Sequence, residues 1–283
     1  MYEELVDTAV AGARVGAEVL LRYFRDSTLE ITAKGSYDFV TRADHESEER
    51  VVAEIRRRFP DHHILAEESG QTRGKDSEYE WFVDPLDGTS NFLQGLPVFC
   101  VSVACRLRDE IVAAAVLDPI GENLFTATRD AGARWNGRPM RVSQRPGLAG
   151  AFLATGYPFR ARQGLELYLE VFRAVFLKAR GIRRCGAAAL DLAYTAAGVY
   201  DGFFEFRLSP WDLAAGVLLI REAGGTTSNL DGGDDFFTSG NLVAGPAGVH
   251  AELLRTVRRF VDEAGLEAVD PVRNKYRREI VGA

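Results

Sequence analysis

Residues 81–92 read Trp81-Phe82-Val83-Asp84-Pro85-Leu86-Asp87-Gly88-Thr89-Ser90-Asn91-Phe92. The apolar run at 81–83 predicts a buried strand that brings Asp84 to its carboxyl end. Pro85 then restricts the backbone, and Asp87 follows after a sharp turn. Residues 88–90 are predicted to open a short helix, whose N–H groups have no partner inside the helix and favour a phosphate.

The two carboxylates of this stretch predict a cation between them. Carboxylates that converge on one point repel each other unless a positive charge separates them. Hard oxygen ligands with no nearby histidine or cysteine suit Mg²⁺ rather than zinc. Each piece alone has a simpler interpretation, because Asp-Pro often starts a turn and Asp87 could cap the helix. Their occurrence together in one run favours the metal site.

Three further acidic segments supply candidate ligands. Glu67 and Glu68 follow a predicted strand at 63–66. Glu67 becomes a stronger candidate ligand only if that strand lies beside the strand of Asp84. Asp212 stands at the third position of a predicted helix that begins with Ser209-Pro210, so it could complement the helix dipole, bind a metal, or do both. Asp44 ends the loop Lys34-Gly35-Ser36-Tyr37-Asp38-Phe39-Val40-Thr41-Arg42-Ala43-Asp44 and could cap the second helix.

Composition excludes several classes of protein. The chain has 283 residues, of which 46% are hydrophobic, so it can bury a core and is not of the disordered class. Acidic residues outnumber basic ones 41 to 34, and this charge balance argues against wholesale nucleic-acid binding. We expect no membrane span, no signal peptide and, with three cysteines, no disulfide framework. A reducing cytoplasmic setting is therefore expected.

Hydrophobic periodicity predicts helices interleaved with strands, and hence a layered α/β or α+β fold. Cys100 and Cys105 should face opposite sides of one strand. A change in composition near 143–147 predicts a boundary between an N-terminal domain, 1–145, and a C-terminal domain, 146–283. Helices are predicted at 3–24, 44–59, 164–180, 187–198, 210–223 and 247–264, and the main strands at 63–66, 81–83, 98–106, 111–117, 150–155, 202–206 and 241–244.

These segments together resemble the inositol monophosphatase family of Mg²⁺-dependent, lithium-sensitive phosphatases. One signature resembles residues 81–90, and a second resembles Trp211 through Gly225. The stretches 186–194 and 201–205 are most similar to the bacterial branch. The resemblance implies an alternating α-β-α-β-α sandwich, which is the sugar phosphatase fold, and a homodimer.

The resemblance also implies two or three Mg²⁺ ions per site. One ion would be held by Glu67, Asp84 and the backbone carbonyl of Leu86. A second would be held by Asp84, Asp87 and Asp212. A third, looser ion would lie near Glu67.

Catalytic and substrate residues follow from the same resemblance. The phosphate would rest on the amides of Gly88 and Thr89. Thr89, paired with Asp44, would orient the attacking water, and Glu67 would share in catalysis. The substrate residues implied are Asp87, Gly186, Ala188 and Glu205, of which Glu205 would bind a hydroxyl of inositol.

The function expected is hydrolysis of myo-inositol monophosphate, with alternatives left open. Fructose bisphosphatase, histidinol phosphatase and phosphoadenosine phosphate phosphatase are sibling enzymes, and the resemblance implies that they share the same metal core. Arg183 and Arg184 could serve a second phosphate, although Glu205 would repel it. Haloacid dehalogenase chemistry needs a nucleophilic Asp at position i and its acid partner at i+2, whereas Asp87 stands at i+3 from Asp84. A regulatory interaction protein that keeps the fold is the remaining alternative, with 56–58 or 183–184 as arginine contacts.

Overall fold

The structure, a computed structural model, describes residues 2–26, 29, 31–35, 38–75, 77–157 and 165–264. Ser36 and Tyr37 of the predicted loop lie outside the described residues. The helices are α1 (Glu3–Tyr23), α2 (Arg42–Arg58), α3 (Thr89–Leu93), α4 (Leu165–Phe176), α5 (Ala188–Ala196), α6 (Pro210–Glu222), α7 (Phe236–Ser239) and α8 (Ala247–Ala264). Each predicted helix is present within a few residues of its expected bounds, and α7 is an addition.

The strands begin with a hairpin formed by β1 and β2 and continue in two larger sheets. They are β1 (Ile31–Gly35), β2 (Asp38–Thr41), β3 (His63–Ala66), β4 (Gly70–Thr72), β5 (Tyr79–Asp87), β6 (Cys100–Leu107), β7 (Glu110–Asp118), β8 (Asn123–Thr128), β9 (Gly132–Trp135), β10 (Arg138–Pro139), β11 (Phe152–Thr155), β12 (Gly181–Arg183), β13 (Gly202–Glu205), β14 (Thr226–Ser228) and β15 (Leu242–Gly245). The main predicted strands are all present, and short strands such as β4, β12 and β14 were not predicted individually.

The larger sheet has the order β10-β9-β8-β7-β6-β5-β3-β4. Its neighbouring strands are antiparallel except for β3 and β5, which are parallel and pair Ala66 with Val83. Side chains alternate between the two faces, as the sequence predicts for Cys100 and Cys105. Cys100 lies in the core that includes α5 and α6, whereas Cys105 lies in the core that includes α1 and α2. The prediction that they face opposite sides is confirmed.

The smaller sheet has the order β12-β11-β13-β15-β14, with β11 parallel to both of its neighbours. Helices α1 and α2 cover the outer face of the larger sheet, and α5 and α6 lie between the two sheets. Helices α4 and α8 cover the far face of the smaller sheet. The molecule is therefore a layered α-β-α-β-α sandwich, as predicted.

Helix α6, from the second half of the chain, packs against the larger sheet formed by the first half. Almost every residue of α6 is buried, as expected for a helix covered on all sides. It packs on β5, β6 and β7 of the larger sheet and on α5 of the second half. The boundary between domains 1–145 and 146–283 stays a prediction. Among the described residues, no helix is long and apolar enough to cross a membrane.

Candidate active site

Strand β5 does not end at Val83, as the sequence predicted, but continues to Asp87. Its pairing with β6 shifts register between Asp84, opposite Ser102, and Asp87, opposite Cys100. An advance of three residues along β5 therefore corresponds to an advance of two residues along β6, and this mismatch is a β-bulge. A bulge accommodates the missing N–H of Pro85 inside a central strand. It also turns both aspartates toward the same end of the sheet.

Helix α3 begins directly after this bulge. Gly88 has a φ of +94°, and a Cβ at this position would lie 2.9 Å from the carbonyl oxygen of Val98. Glycine is needed there because the backbone is left-handed and closely approached. The hydroxyl of Thr89, the first helical residue, lies 3.1 Å from the carbonyl oxygen of Leu86 and 3.2 Å from Oδ1 of Asp44.

Asp44 is held by the start of α2. Its Oδ2 accepts hydrogen bonds from the backbone N–H of Thr41, at 2.8 Å, and from the Thr41 hydroxyl, at 2.6 Å. The Thr41 hydroxyl oxygen in turn accepts from the backbone N–H of Ala43 and of Asp44. This reciprocal cap fixes the buried Asp44 carboxylate, so that Oδ1 faces Thr89. The structure thus brings the predicted Thr89–Asp44 pair together.

Glu67 follows β3, and β3 lies beside β5, the strand that carries Asp84. The condition under which Glu67 becomes a strong candidate ligand is therefore met. The N–H of Glu67 donates to the carbonyl oxygen of Val83 at 3.1 Å. The turn that follows is anchored by Glu48 of α2, whose buried carboxylate accepts the N–H groups of Glu68 and Ser69 at 2.7 and 2.8 Å. Sequence reasoning missed Glu48, because an acid within a charged helix carries no distinguishing pattern.

Asp212 reaches the same place from the second half of the chain. Its Oδ2 accepts the N–H of Ser209 at 2.7 Å, which orients the carboxylate at the start of α6. The hydroxyl of Ser102 donates to the carbonyl oxygen of Trp211 at 3.4 Å. Ser102 is the residue opposite Asp84 in β6, so this bond ties the start of α6 to the strand beside Asp84.

The pKa values of the carboxyl groups show that they act on one another. Burial raises the pKa of Asp84 well above its ordinary value, and the charges of Glu67, Asp87 and Asp212 raise it further. Burial raises the pKa of Asp87 to about 7, with a further contribution from Asp212, although the amide N–H groups of Ala188 and Ala189 oppose the shift. Four carboxyl groups from three segments, those of Glu67, Asp84, Asp87 and Asp212, therefore share one electrostatic environment, which we call the acidic corner.

A hard divalent cation fits this donor set. Among the residues that the structure describes, no three His, Cys, Asp or Glu side chains are assembled into a group that could hold a metal as it stands. Asp87 and Asp212 instead accept backbone N–H groups, of Ala189 at 2.7 Å and of Ser209 at 2.7 Å. Repulsion among carboxylates that lie close together is relieved by a cation, and oxygen-only ligands match Mg²⁺.

The predicted substrate residues lie beside the start of α3. A Cβ at Gly88 would lie 3.3 Å from the Cβ of Ala187, so the turn containing Gly186 and Ala188 adjoins the predicted phosphate site. The N–H of Ala189 donates to Oδ2 of Asp87. This turn is therefore in direct contact with the acidic corner, through Asp87.

Glu205 ends β13 and is buried, and burial raises the pKa of its carboxyl well above the ordinary value. The charges of Asp191 and Asp212 raise the pKa further, whereas Arg184 lowers it. The carboxylate of Glu205 lies against Gly156, in the space that a Cβ there would occupy. Glu205 thus belongs to the same electrostatic environment as the aspartates.

Asp191, in the first turn of α5, is a buried acid to which the sequence assigned no role. Burial raises its pKa well above the ordinary value, and the charge of Asp87 adds to the shift. The run 186–194 contains Asp191, but only the fold shows that Asp87 acts on its pKa and that its own charge acts on the pKa of Glu205.

The arginine segments considered for partner contacts are engaged within the chain. Arg56 donates to the carbonyl oxygens of Pro60 and His62. Arg57 and Arg58 pair with Glu54 of the same helix. The guanidinium of the exposed Arg184 lies 5.3 Å from the centre of the Tyr157 ring.

The layered sandwich, with its acidic corner at the start of a short helix, defines the class of sugar phosphatase folds. Within that class the chain belongs to the inositol monophosphatase family: the model of the "Inositol monophosphatase family" matches residues 1–263. The predicted family and fold are thereby confirmed.

Bacterial proteins are among the relatives that this chain matches over nearly its whole length. The protein named "Nus factor SuhB" of Pseudomonas aeruginosa is 44% identical over 261 residues, which is 90% of this chain and 96% of that protein. The protein of the same name from Escherichia coli K12 is also 44% identical over 261 residues, covering 92% of this chain and 98% of that protein.

Solved structures give the same fold under two kinds of name. The extragenic suppressor protein suhB of Bartonella henselae has a TM-score of 0.88 and 41% identity, and the match covers 91% of this chain and 99% of that one. Inositol monophosphatase from Anabaena has a TM-score of 0.80 and 36% identity, covering 91% and 96% of the two chains. Solved relatives are thus named both for a phosphatase and for a suppressor protein.

Proposed function

We propose that this chain is a Mg²⁺-dependent phosphomonoesterase that hydrolyses myo-inositol monophosphate to inositol and phosphate. The observation that carries the proposal is the electrostatic coupling of Glu67, Asp84, Asp87 and Asp212 at the start of α3. Asp84 is buried and the other three acids are partly exposed, and negative charges gathered around a buried carboxylate are costly to keep without a cation. A protein that only needed the fold could replace these acids with neutral residues.

The proposed ligands are the ones that the family resemblance implies. Glu67, Asp84 and the carbonyl of Leu86 would hold one Mg²⁺, and Asp84, Asp87 and Asp212 a second. The number of ions, two or three, is part of the proposal. Bound Mg²⁺ would supply a nucleophile at neutral pH and neutralise charge on the phosphoryl group.

The residues of the chain position the reacting groups. The N–H groups of Gly88 and Thr89, at the start of α3, would hold the phosphate oxygens. The Thr89 hydroxyl lies within hydrogen-bonding distance of Asp44, so this pair can accept and orient the attacking water. Asp44 is held rigidly by Thr41, and that rigidity supports in-line attack, because catalysis depends on alignment. Glu67, beside Asp84, would share in this step.

A polyol is the leaving group that the residues around Glu205 favour. Buried Glu205 offers a carboxylate to a hydroxyl, and it is proposed to act with Asp87, Gly186 and Ala188 in binding inositol. A second phosphate would bring negative charge beside Glu205 and Asp191, whose raised pKa values show that this buried setting disfavours negative charge. This argument ranks inositol monophosphate above the bisphosphate substrates of the sibling enzymes.

Phosphate release from a panel of esters tests the proposal. The panel contains myo-inositol 1-phosphate, fructose 1,6-bisphosphate, histidinol phosphate and phosphoadenosine phosphate, each with Mg²⁺ and with EDTA. We expect turnover only with Mg²⁺ and the largest kcat/KM with inositol phosphate. A larger kcat/KM for another ester would transfer the proposal to that sibling activity, and turnover in EDTA would contradict the metal dependence.

A regulatory role is the second candidate function, and the names of the relatives favour it. Proteins 44% identical to this chain are named Nus factor SuhB, which is not the name of an enzyme. The expectation that nucleic acid is no partner therefore stays a prediction. Asp84→Asn separates the two functions: loss of phosphatase activity with an intact cellular phenotype favours the regulatory role, whereas loss of both favours the enzyme.

We also propose a homodimer located in the cytoplasm. Exposed apolar side chains on α4, among them Leu169 and Phe176, which are 45% and 54% exposed, support self-association. Sedimentation of the purified chain tests the dimer, and a species of monomer mass at micromolar concentration would contradict it. Cell fractionation tests the location.

A further inference from the structure

We propose that Asn91 is a positioning residue that holds the substrate-facing turn, residues 185–189, against the phosphate-facing helix α3. The inference rests on the proposed function and deepens it, because it assigns the discrimination between polyol phosphates and simpler phosphate esters to a residue outside the binding set. Asn91 belongs to the run 81–92, yet it is neither a proposed metal ligand nor a member of the proposed catalytic pair.

The side-chain amide of Asn91 joins two separate segments. Its Nδ2 donates one hydrogen bond to the carbonyl oxygen of Val98 and another to that of Cys185, each at 2.8 Å. An NH₂ group has two hydrogens, so both of its donors are used. Val98 lies in the loop after α3, and Cys185 immediately precedes Gly186. One side chain thus ties α3, its following loop and the turn together.

Close packing at the same place leaves little room for another arrangement. Gly186 has a φ of +89°, and a Cβ there would lie 3.3 Å from Nδ2 of Asn91. At the other end of the contact, the Cβ of Ala187 lies 3.3 Å from the Cβ position of Gly88. The turn therefore rests on α3 at Asn91 and on the start of α3 at Gly88.

A second link joins the turn to the acidic corner independently of Asn91. The N–H of Ala189 donates to Oδ2 of Asp87 at 2.7 Å. Loss of the Asn91 bonds would free the end of the turn at Cys185 and Gly186 while the Ala189–Asp87 bond remains. The polyol contacts should then loosen more than the phosphate and metal contacts.

Two variants remove the donors in different ways. Asn91→Ala removes the amide altogether, and Asn91→Asp keeps its shape but directs carboxylate oxygen at two carbonyl oxygens. Ser90→Ala is the matched control, because Ser90 is the adjacent residue of the same helix and is exposed. Using both variants keeps the test decisive if one of them folds poorly, and circular dichroism with a thermal melt checks folding.

Steady-state kinetics with two substrates gives the first readout. Myo-inositol 1-phosphate uses the turn, whereas phenyl phosphate carries no polyol. For both variants we expect the ratio of kcat/KM values, inositol phosphate over phenyl phosphate, to fall about tenfold or more through KM, which is the scale found for residues that orient a functional group. Equal losses for the two substrates, or no loss in either, would overturn the proposal.

Amide hydrogen exchange, measured without substrate, gives the second readout. In Asn91→Ala, residues 185–189 should exchange at least several-fold faster, and Ser90→Ala should match the wild type, because opening of a local contact exposes its amides. Unchanged exchange in this turn would overturn the positioning role. If the wild-type chain hydrolyses no polyol phosphate, the proposed function fails, and the exchange comparison then decides the role of Asn91 by itself.

Discussion

Asp84 is the residue on which the acidic corner depends most. It is 1% exposed, and its pKa is raised by burial and by the charges of Glu67, Asp87 and Asp212. Asp84→Asn removes a negative charge and one proposed ligand of both metal ions. We expect kcat/KM to fall about a thousandfold, the scale for loss of a central electrostatic contact, when phosphate release is measured with saturating Mg²⁺.

The same substitution should stabilise the metal-free protein, since one buried charge is gone. A thermal melt in EDTA should therefore give a higher Tm for Asp84→Asn than for the wild type, and added Mg²⁺ should raise that Tm little. Asp109→Asn is the control, because Asp109 is an exposed acid in the β6–β7 turn. A variant with full activity, or with a normal response to Mg²⁺, would contradict the assignment of Asp84.

Glu48 acts on the site through the backbone. Its carboxylate accepts the N–H groups of Glu68 and Ser69, so it fixes the turn that carries Glu67. Glu48→Gln keeps one accepting oxygen and places an amide donor against the other N–H. We expect Mg²⁺ affinity to fall about tenfold by titration calorimetry, as for other residues that support a ligand.

The neighbouring residue gives a matched control for Glu48. Glu49→Gln changes the same charge on the same helix at an exposed position, and it should leave Mg²⁺ affinity unchanged. The free energy of unfolding of Glu48→Gln should fall by about 1 kcal/mol, because a partly buried N–H loses its acceptor. Equal Mg²⁺ affinity in the two variants would show that the turn does not need Glu48.

The residues that sequence could identify are those whose motif is local. Asp84 and Asp87 stand in one run, and their convergence follows from a strand and a turn. The assignment of Glu67 as a ligand depends on whether β3 lies beside β5, and the order of strands is set by the whole sheet. Glu48 and Asp191 escaped prediction because an acid inside a helix is common and only tertiary packing buries it.

Among the elements, helices and long strands were predictable because their hydrophobic periods extend over many residues. The end of β5 was not, since Pro85 normally ends a central strand. Here a bulge absorbs the proline, and the strand resumes its pairing at Asp87, opposite Cys100. This irregularity places the two aspartates, so the proposed metal site depends on a local exception to the strand rules.

The crossing of α5 and α6 is one of the contacts between elements that hold α6, which carries Asp212. A Cβ at Gly216 of α6 would overlap the side chain of Leu192 on α5. Gly216→Ala should therefore push the two helices apart and cost about 1–3 kcal/mol of stability, as overpacking does. Chemical denaturation measures this cost, and a fall in Mg²⁺ affinity should accompany it.

A glycine with open surroundings gives the control for that substitution. The nearest atom to a Cβ at Gly233 would be 3.8 Å away, on the side chain of Asn229. Gly233→Ala should change the free energy of unfolding by less than about 0.5 kcal/mol. If Gly216→Ala is equally neutral, the crossing has room for a methyl group and does not fix the start of α6.

At the scale of the molecule, the layer order came from the family resemblance rather than from periodicity. Pattern alone indicated helices interleaved with strands, which several layered folds share. The decisive information is that α6 is buried on all sides, because it separates the two sheets. Sequence shows that this helix is apolar, but it does not show which two surfaces cover it.

The whole molecule should be least stable, when metal-free, at neutral and alkaline pH. Asp87 has a pKa of about 7 in the folded protein, well above its ordinary value, and the pKa of Asp84 is raised in the same direction. The folded state therefore binds more protons than the unfolded state between about pH 4 and pH 7. The stabilising effect is complete below the ordinary carboxyl pKa and is lost as pH rises through 7.

Urea denaturation in EDTA at pH 5, 6, 7 and 8 measures this loss, which we expect to be on the order of 2 kcal/mol. Asp212→Asn should flatten the profile, because the charge of Asp212 raises the pKa of both aspartates. Mg²⁺ at a hundred times its Kd should restore about 2.7 kcal/mol at pH 8, since it binds only the folded state. A profile in EDTA that stays level from pH 5 to pH 8, together with no stabilisation by Mg²⁺, would mean that the carboxylates do not form a cation site.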